Sequence, residues 1–390
     1  MLKNMALAVV GASVITLGIG NAIQAVTLEV VASNLDSPRG LTFGADGALY
    51  VTEAGRGGAG PCIPSFIPGE EACYGPTGAL TRIQTGTVER VVTGLPSLAI
   101  NGTDVNGPSD IAFDSTGQPY VLVGLGSNPA NRSVLGVPDF GKLLKIDALE
   151  GGSSWTAIAD VAGFEATNNP DGGEVDSNPY AFLIQGNAAY VADAGGNDLL
   201  KVNLSDGGIS LESVFEERLV PFMGSEIPMQ SVPTSVALGP DGALYVGQLT
   251  GFPFPEGGAR IYRIGDDGTP EVYAEGFTTI ADLNFDDDGN LYVLEYSTNG
   301  GPSLSGGGAL IRYAPNGTRT TLLADGLTNP TAFTLGPDGD FYIANKGFVA
   351  GQGEVVRYNP QGSTSVPEPT TIFGLLAIAT TGATSRLLRQ

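Results

Sequence analysis

The sequence predicts an all-β fold: a six-bladed β-propeller with four antiparallel strands per blade, its ring closed by the N-terminal strand. Three observations carry this. First, a Tyr followed by Val or Ile recurs at positions 50, 120, 190, 245, 292 and 342, at intervals of 47 to 70 residues. Three residues before each Tyr stand Gly47, Gly117, Asn187, Gly242, Gly289 and Gly339, residue types that tolerate the positive φ of a tight hairpin turn. Second, a third strand follows each hairpin and ends in a basic residue and an apolar one: ALTRI, KLLKI, DLLKV, RIYRI, ALIRY, EVVRY. A fourth strand follows most of these, and one register kept six times describes a propeller rather than a sandwich. Third, the last unit ends at EVVRYNP with no fourth strand, while an orphan strand, TLEVVASNLDSP, precedes the first. That strand matches TTLLADGLTNP ahead of the sixth unit, so it is expected to complete the last blade and remove an exposed sheet edge.

The elements follow in order. Residues 1–25 read as a secretory signal: Lys3, then the apolar run MALAVVGASVITLGIG, then small residues at Ala22 and Ala25. Residues 26–360 are the propeller and 361–366 a polar linker. Residues 367–390 are an address: Val366, Pro367, Glu368 and Pro369 lead into TTIFGLLAIATTGAT and a tail with Arg386 and Arg389. This order resembles the PEP-CTERM sorting signal. The resemblance implies export, transient association with the inner membrane through the C-terminal helix, and an exosortase as sorting partner. An apolar helix of about 15 residues spans only about 23 Å, short of the ~30 Å hydrocarbon core.

Composition excludes several functions. With 18 Lys+Arg against 41 Asp+Glu, the net charge of −23 argues against nucleic acid as a partner. The chain has no His, which removes Ser-His-Asp and Cys-His catalysis and any His-ligated metal centre.

Candidate functional residues fall on one face. The turn between the first and second strands keeps its spacing, whereas the loops from second to third strand vary, and variable loops on a rigid scaffold are where binding concentrates. Cys62 and Cys73 share the first such loop and are expected to be bridged. Three residues after each repeat Tyr come Glu53, Val123, Asp193, Gln248, Glu295 and Asn345. With Asp110 and Asp282 from the inner-strand starts, the oxygen-bearing members form a candidate ligand set at the channel mouth. Such a set suits only a hard cation, calcium or magnesium. The competing reading is that strand ends meeting solvent are polar. FEATNNPDGGEVDSNPY (164–180) is a second oxygen-rich segment, either a further ligand source or a solvated loop. Tyr74, Tyr180, Phe252 and Phe254 are candidate contacts for a flat apolar ligand. Trp155 is read as core.

Long motifs add a resemblance. PRGLTFGADGALYVTEAGRGGAGPC, CYGPTGALTRI, NNPDGGEVDSNPYAF, VADAGGNDLLKV and VPTSVALGPDGALYVGQLTGFPFPEGGARIYRI resemble the ScyD/ScyE family. These are exported NHL-like propellers named from the gene cluster for scytonemin, an indole–phenol pigment. The resemblance covers about residues 30–360 and implies a late, periplasmic step of pigment assembly. Three readings result. The first is an exported propeller acting on or binding an aromatic small molecule, with a divalent cation at the channel mouth. The second is a non-catalytic propeller binding polysaccharide or protein in the extracellular matrix. The third is a metal-dependent, lactonase-like hydrolase.

Overall fold

The computed structural model describes residues 28–362, apart from Phe66, Pro68 and residues 150–152. The signal and sorting segments lie outside the described residues. Among those described, no helix is long and apolar enough to cross a membrane.

Six four-stranded antiparallel cores form the ring. Blade 1 uses Pro38–Phe43, Leu49–Glu53, Glu71–Gln84 and Thr87–Ile100; blade 2 uses Pro108–Phe113, Pro119–Val123, Lys142–Ala148 and Ser154–Asp160. Blade 3 uses Pro179–Gln185, Ala188–Asp193, Asp198–Asn203 and Ile209–Val214; blade 4 uses Pro233–Leu238, Leu244–Gln248, Ala259–Ile264 and Pro270–Phe277. Blade 5 uses Ile280–Phe285, Leu291–Glu295, Ala309–Tyr313 and Arg319–Leu323. Blade 6 takes Ala332–Leu335, Phe341–Asn345 and Ala350–Tyr358 from the C-terminal end, and its outer strand is the N-terminal Glu29–Asp36. The closing pair is in register through Val30↔Val356 and Ala32↔Val355.

The repeat has a physical cause. In blades 1, 4, 5 and 6 the repeat Tyr hydroxyl donates to the Asp of its own hairpin turn: Tyr50 to Asp46 at 3.0 Å, Tyr245 to Asp241 at 3.3 Å, Tyr292 to Asp286 and Tyr342 to Asp338 at 3.0 Å. The third-strand Arg reaches the same carboxylate in three of these, Arg82, Arg263 and Arg357. Burial raises these Asp, and the hydrogen bonds they accept together outweigh it and hold their carboxyls below the usual range. In blade 3 the turn differs from the sequence reading. Gln185 pairs with Ala188, and the positive φ of 61° falls on Gly186 rather than on Asn187.

Apolar side chains pack between blades. Six clusters fill the six junctions; Val51, Leu41 and Ile83 of blade 1, for example, meet Ala344, Val355 and the strand residue Leu35 of blade 6. Trp155 packs into the junction of blades 1 and 2, and its Nε1 donates to Asp139 at 3.1 Å. At the inner strands a hydroxyl on every second blade bonds the next one: Ser109 to the Pro179 carbonyl (2.9 Å), Thr234 to that of Ile280 (2.6 Å) and Thr331 to that of Pro38 (2.8 Å).

Three segments read as loops are ordered elements. The blade 1 loop becomes sheet: Cys62–Pro64 pairs with an extended Glu71–Gln84, and Thr103–Asn106 adds beyond Thr87–Ile100. Residues 161–168 form a short helix, Val161–Asn168, capped by Asp160. A hairpin, Arg218–Phe222 and Ser225–Met229, is inserted between blades 3 and 4.

Candidate functional site

The oxygen column is built from the ends of the second strands. Each member ties that end to the segment entering the inner strand of the same blade. Glu53 accepts from the Asp36 N–H (2.6 Å) and from Thr81, and Arg90 forks onto both its oxygens at 2.9 and 2.6 Å. Asp193 accepts from Ser177 Oγ (2.5 Å) and from the N–H groups of Asn178, Gly195 and Gly196 at 2.6, 3.0 and 3.2 Å. Gln248 bonds Ser231 Oγ (2.7 Å), the Arg260 N–H (3.0 Å) and Arg218 (3.1 Å). Glu295 accepts from the Thr278 N–H at 2.8 Å, and Asn345 from that of Thr328 at 2.8 Å while donating to Glu354. The structure therefore does not gather Glu53, Asp193, Gln248, Glu295 and Asn345 at the axis. Side chains alternate between strand faces. A residue three after the Tyr shares the face of Val51, which looks into a blade junction. Among the described residues, no group of three or more Asp, Glu, His or Cys stands close enough to ligate a metal as placed.

Asp110 and Asp282 do meet. They line a small cavity on the axis together with Gly40, Tyr180, Thr234 and Thr331. Its volume, about 40 Å³, admits an ordered water and no aromatic ring. Each carboxylate is held by two N–H donors, one from its own strand and one from the next blade: Ile111 (2.8 Å) and Phe182 (2.9 Å) for Asp110, Leu283 (2.8 Å) and Phe333 (2.9 Å) for Asp282. Burial pushes Asp110 up to about 7 and Asp282 up to about 8, the latter helped by the facing Asp110. Gly40 is required here, because a Cβ at that position would stand 2.0 Å from Asp110 Oδ1. At the mouth, Arg39 donates to the carbonyls of Gly347 and Val105, both at 2.8 Å. Burial raises the hydroxyl pKa of Tyr180 and Tyr296.

The predicted aromatic contacts separate. Tyr74 packs edge-on against Phe140 at 6.1 Å in the junction of blades 1 and 2, and Tyr180 belongs to the axis. Phe252 and Phe254 form a shelf with Phe222: Phe252 lies 5.0 Å from Phe222 and 6.4 Å from Phe254. Phe222 comes from the inserted hairpin, which also displays Leu219 (65% exposed) and Met223 (91%), while Phe252 is 48% exposed. Cys62 and Cys73 are bridged, facing one another across a strand pair.

A second group of carboxylates lies in blade 3. Glu165 from the short helix, Asp176 from the following segment, and Asp193 and Asp198 flanking the turn at Gly196 lie within electrostatic reach of one another and of Asp171. Burial, reinforced by these neighbours, pushes Glu165 and Asp176 up to about 7 and raises Asp198 well above its ordinary value.

No family model and no curated protein matches the chain. Solved structures do. A structural-genomics protein of unknown function from Bacteroides thetaiotaomicron aligns with a TM-score of 0.54 at 11% identity, over 85% of this chain and 75% of that one. The soluble aldose sugar dehydrogenase of Escherichia coli in its apo form aligns at 0.53 and 15%, over 86% and 100%. A glucose dehydrogenase aligns at 0.52 and 15%, over 85% and 99%. These similarities are of fold alone: the chain is a six-bladed β-propeller.

Proposed function

We propose that the protein is an exported binding propeller that holds an aromatic small molecule against the Phe222–Phe252–Phe254 shelf. The observation that carries this reading is the inserted hairpin. It is a two-stranded insertion between blades 3 and 4, it displays Leu219 and Met223, and it sets Phe222 5.0 Å from an exposed Phe252. Exposed apolar surface concentrated on one insertion marks a recognition site. Aromatic rings there offer edge-to-face contacts to a flat ligand. The resemblance to ScyD/ScyE propellers makes an indole–phenol compound the first ligand class to test. Binding is favoured over a metal-dependent, lactonase-like reaction because the residues that would hold a cation at the channel mouth are engaged as loop ties.

Calorimetric titration of the purified chain with indole and with a para-substituted phenol tests the reading. Saturable binding is expected, weakened at least tenfold by Phe252→Ala. Binding of matrix polysaccharide, with none of either aromatic probe, would replace it with the matrix reading. Export is tested separately by intact mass from the native host. A mature chain beginning near residue 23 or 26 and ending close to Val366–Pro369 is expected, and full-length chain in the extracellular fraction would overturn it.

A further inference from the structure

The blade 3 carboxylates are placed differently from every other acidic group in the propeller. Glu165 is 1% exposed and both its carboxylate oxygens are buried without a hydrogen-bond partner. Asp198, also 1% exposed, has a buried Oδ1 without a partner, as do Asp176 and the amide oxygen of Asn169. None of the ion pairs among the described residues includes Glu165, Asp171, Asp176, Asp193 or Asp198. A buried carboxylate with neither donor nor counter-charge is strongly disfavoured, and several beside one another repel as well.

The groups converge on one point. A Cβ on Gly196 would stand 3.3 Å from Glu165 Oε2, 3.5 Å from Asp193 Cγ and 3.6 Å from Asp198 Cγ. Glu165 and Asn169, four residues apart across the helix end, face the same way. The surrounding loop is already fixed. Asp171 accepts from the Gly173 N–H (2.8 Å) and from Asn197 Nδ2 (3.0 Å), which docks the loop on the turn following the second strand of blade 3.

We propose that this cluster is a calcium site, with Glu165 and Asp198 as principal ligands and Asp176 and Asn169 completing the oxygen shell. The carboxylates as placed do not ligate one ion; binding requires side-chain rotation at Glu165 and Asp198 to close the set around a cation. An all-oxygen, irregular, carboxylate-rich shell on a helix end and a loop is calcium chemistry. Magnesium demands a tighter octahedron, and zinc favours nitrogen and sulfur. Bound calcium would join the helix Val161–Asn168 and residues 169–178 to the blade 3 turn and fix the loop beside the axis. The site is independent of the aromatic shelf.

The test uses the full chain stripped with chelator and titrated with calcium chloride, read by calorimetry and by thermal melting. One ion per chain and a rise in Tm are expected, with magnesium at least tenfold weaker. Glu165→Gln and Asp198→Asn should each weaken calcium binding at least tenfold. Their ion-free melting should be equal to or higher than wild type, because each removes an uncompensated charge while keeping the shape. Glu295→Gln should leave calcium binding unchanged. The proposal is overturned if no binding or Tm shift occurs up to 10 mM calcium, a concentration on the order of ten times the weakest extracellular calcium sites. It is also overturned if both variants bind as wild type, if magnesium binds equally well, or if Glu295→Gln abolishes the effect.

Discussion

Replacing Asp282 by Asn should flatten the pH dependence of stability. Asp282 and Asp110 face each other on the axis, buried, with carboxyls pushed up to about 8 and about 7. An unfolded Asp titrates near 3.8. Between these values the folded chain keeps protons that the unfolded chain has released. Their stabilising effect is therefore complete below pH ~4 and is lost as pH rises through 7 to 8. For Asp282 alone the interval from 3.8 to about 8, at ~1.4 kcal/mol per unit, sets an upper limit of roughly 5–6 kcal/mol. Relaxation and water entry reduce such penalties in real interiors, so a realised loss of about 1–3 kcal/mol between pH 5 and pH 8 is expected from this group. Asn keeps the carbonyl oxygen that accepts from the Phe333 N–H and cannot ionise. Glu165, Asp176 and Glu295 are also raised, so the informative quantity is the difference between wild type and variant. Urea unfolding at pH 5, 6.5 and 8 in the presence of chelator measures it. If Asp282→Asn and Asp110→Asn both retain the wild-type slope, or if wild-type stability increases from pH 5 to 8, the axial assignment is wrong.

Two further predictions concern packing and covalent closure. Gly40→Ala should cost about 1–3 kcal/mol by overpacking, because the added methyl would stand 2.0 Å from Asp110 Oδ1 and 2.7 Å from its Cα; the urea midpoint reads this, and an unchanged midpoint refutes it. Cys62→Ser with Cys73→Ser opens a loop whose ends are 11 residues apart, which by chain entropy is worth roughly 3 kcal/mol. Thermal melting should fall while far-ultraviolet dichroism stays that of the propeller, and free thiols in unreduced wild type would deny the bridge.

The ring was legible because its repeat is enforced locally. In four blades the Tyr reaches the Asp of its own turn, and in three of these an Arg of the third strand reaches the same Asp, whatever the loops do. The orphan N-terminal strand was legible for a related reason, since an unpaired fourth strand has only one edge to join. The site was less legible, because column position and side-chain direction are separate quantities. Glu53, Asp193 and Glu295 share a column, yet a strand has two faces and neither looks down the axis. Only residues at the start of the inner strand, such as Asp110 and Asp282, reach it. The shelf was half visible: its aromatic residues stand out in the sequence, but the hairpin that brings Phe222 to Phe252, about thirty residues earlier, docks through tertiary contacts.

What separates the acidic groups of this chain is the number of donors each one meets, and burial alone does not sort them. Asp193 and Glu165 are both buried, and they lie in the same cluster. Burial raises the Asp193 pKa, and the four hydrogen bonds it receives offset only part of that rise. That carboxylate is stabilised where it stands and needs nothing further to hold its loop. Glu165 receives none and faces other carboxylates. The helix that presents it is only eight residues long, too short to persist without tertiary support. Replacing Glu165 by an apolar residue would relieve the repulsion and pack the helix better, so the retained charge opposes the local fold. A cation on Glu165 and Asp198 would remove that conflict and cross-link the helix to the blade 3 turn. The same reasoning sets aside the channel-mouth column as a metal centre, because Glu53 already has Arg90 and Gln248 already has three partners. Donor count thus selects the blade 3 cluster over the column to which residue type alone had pointed.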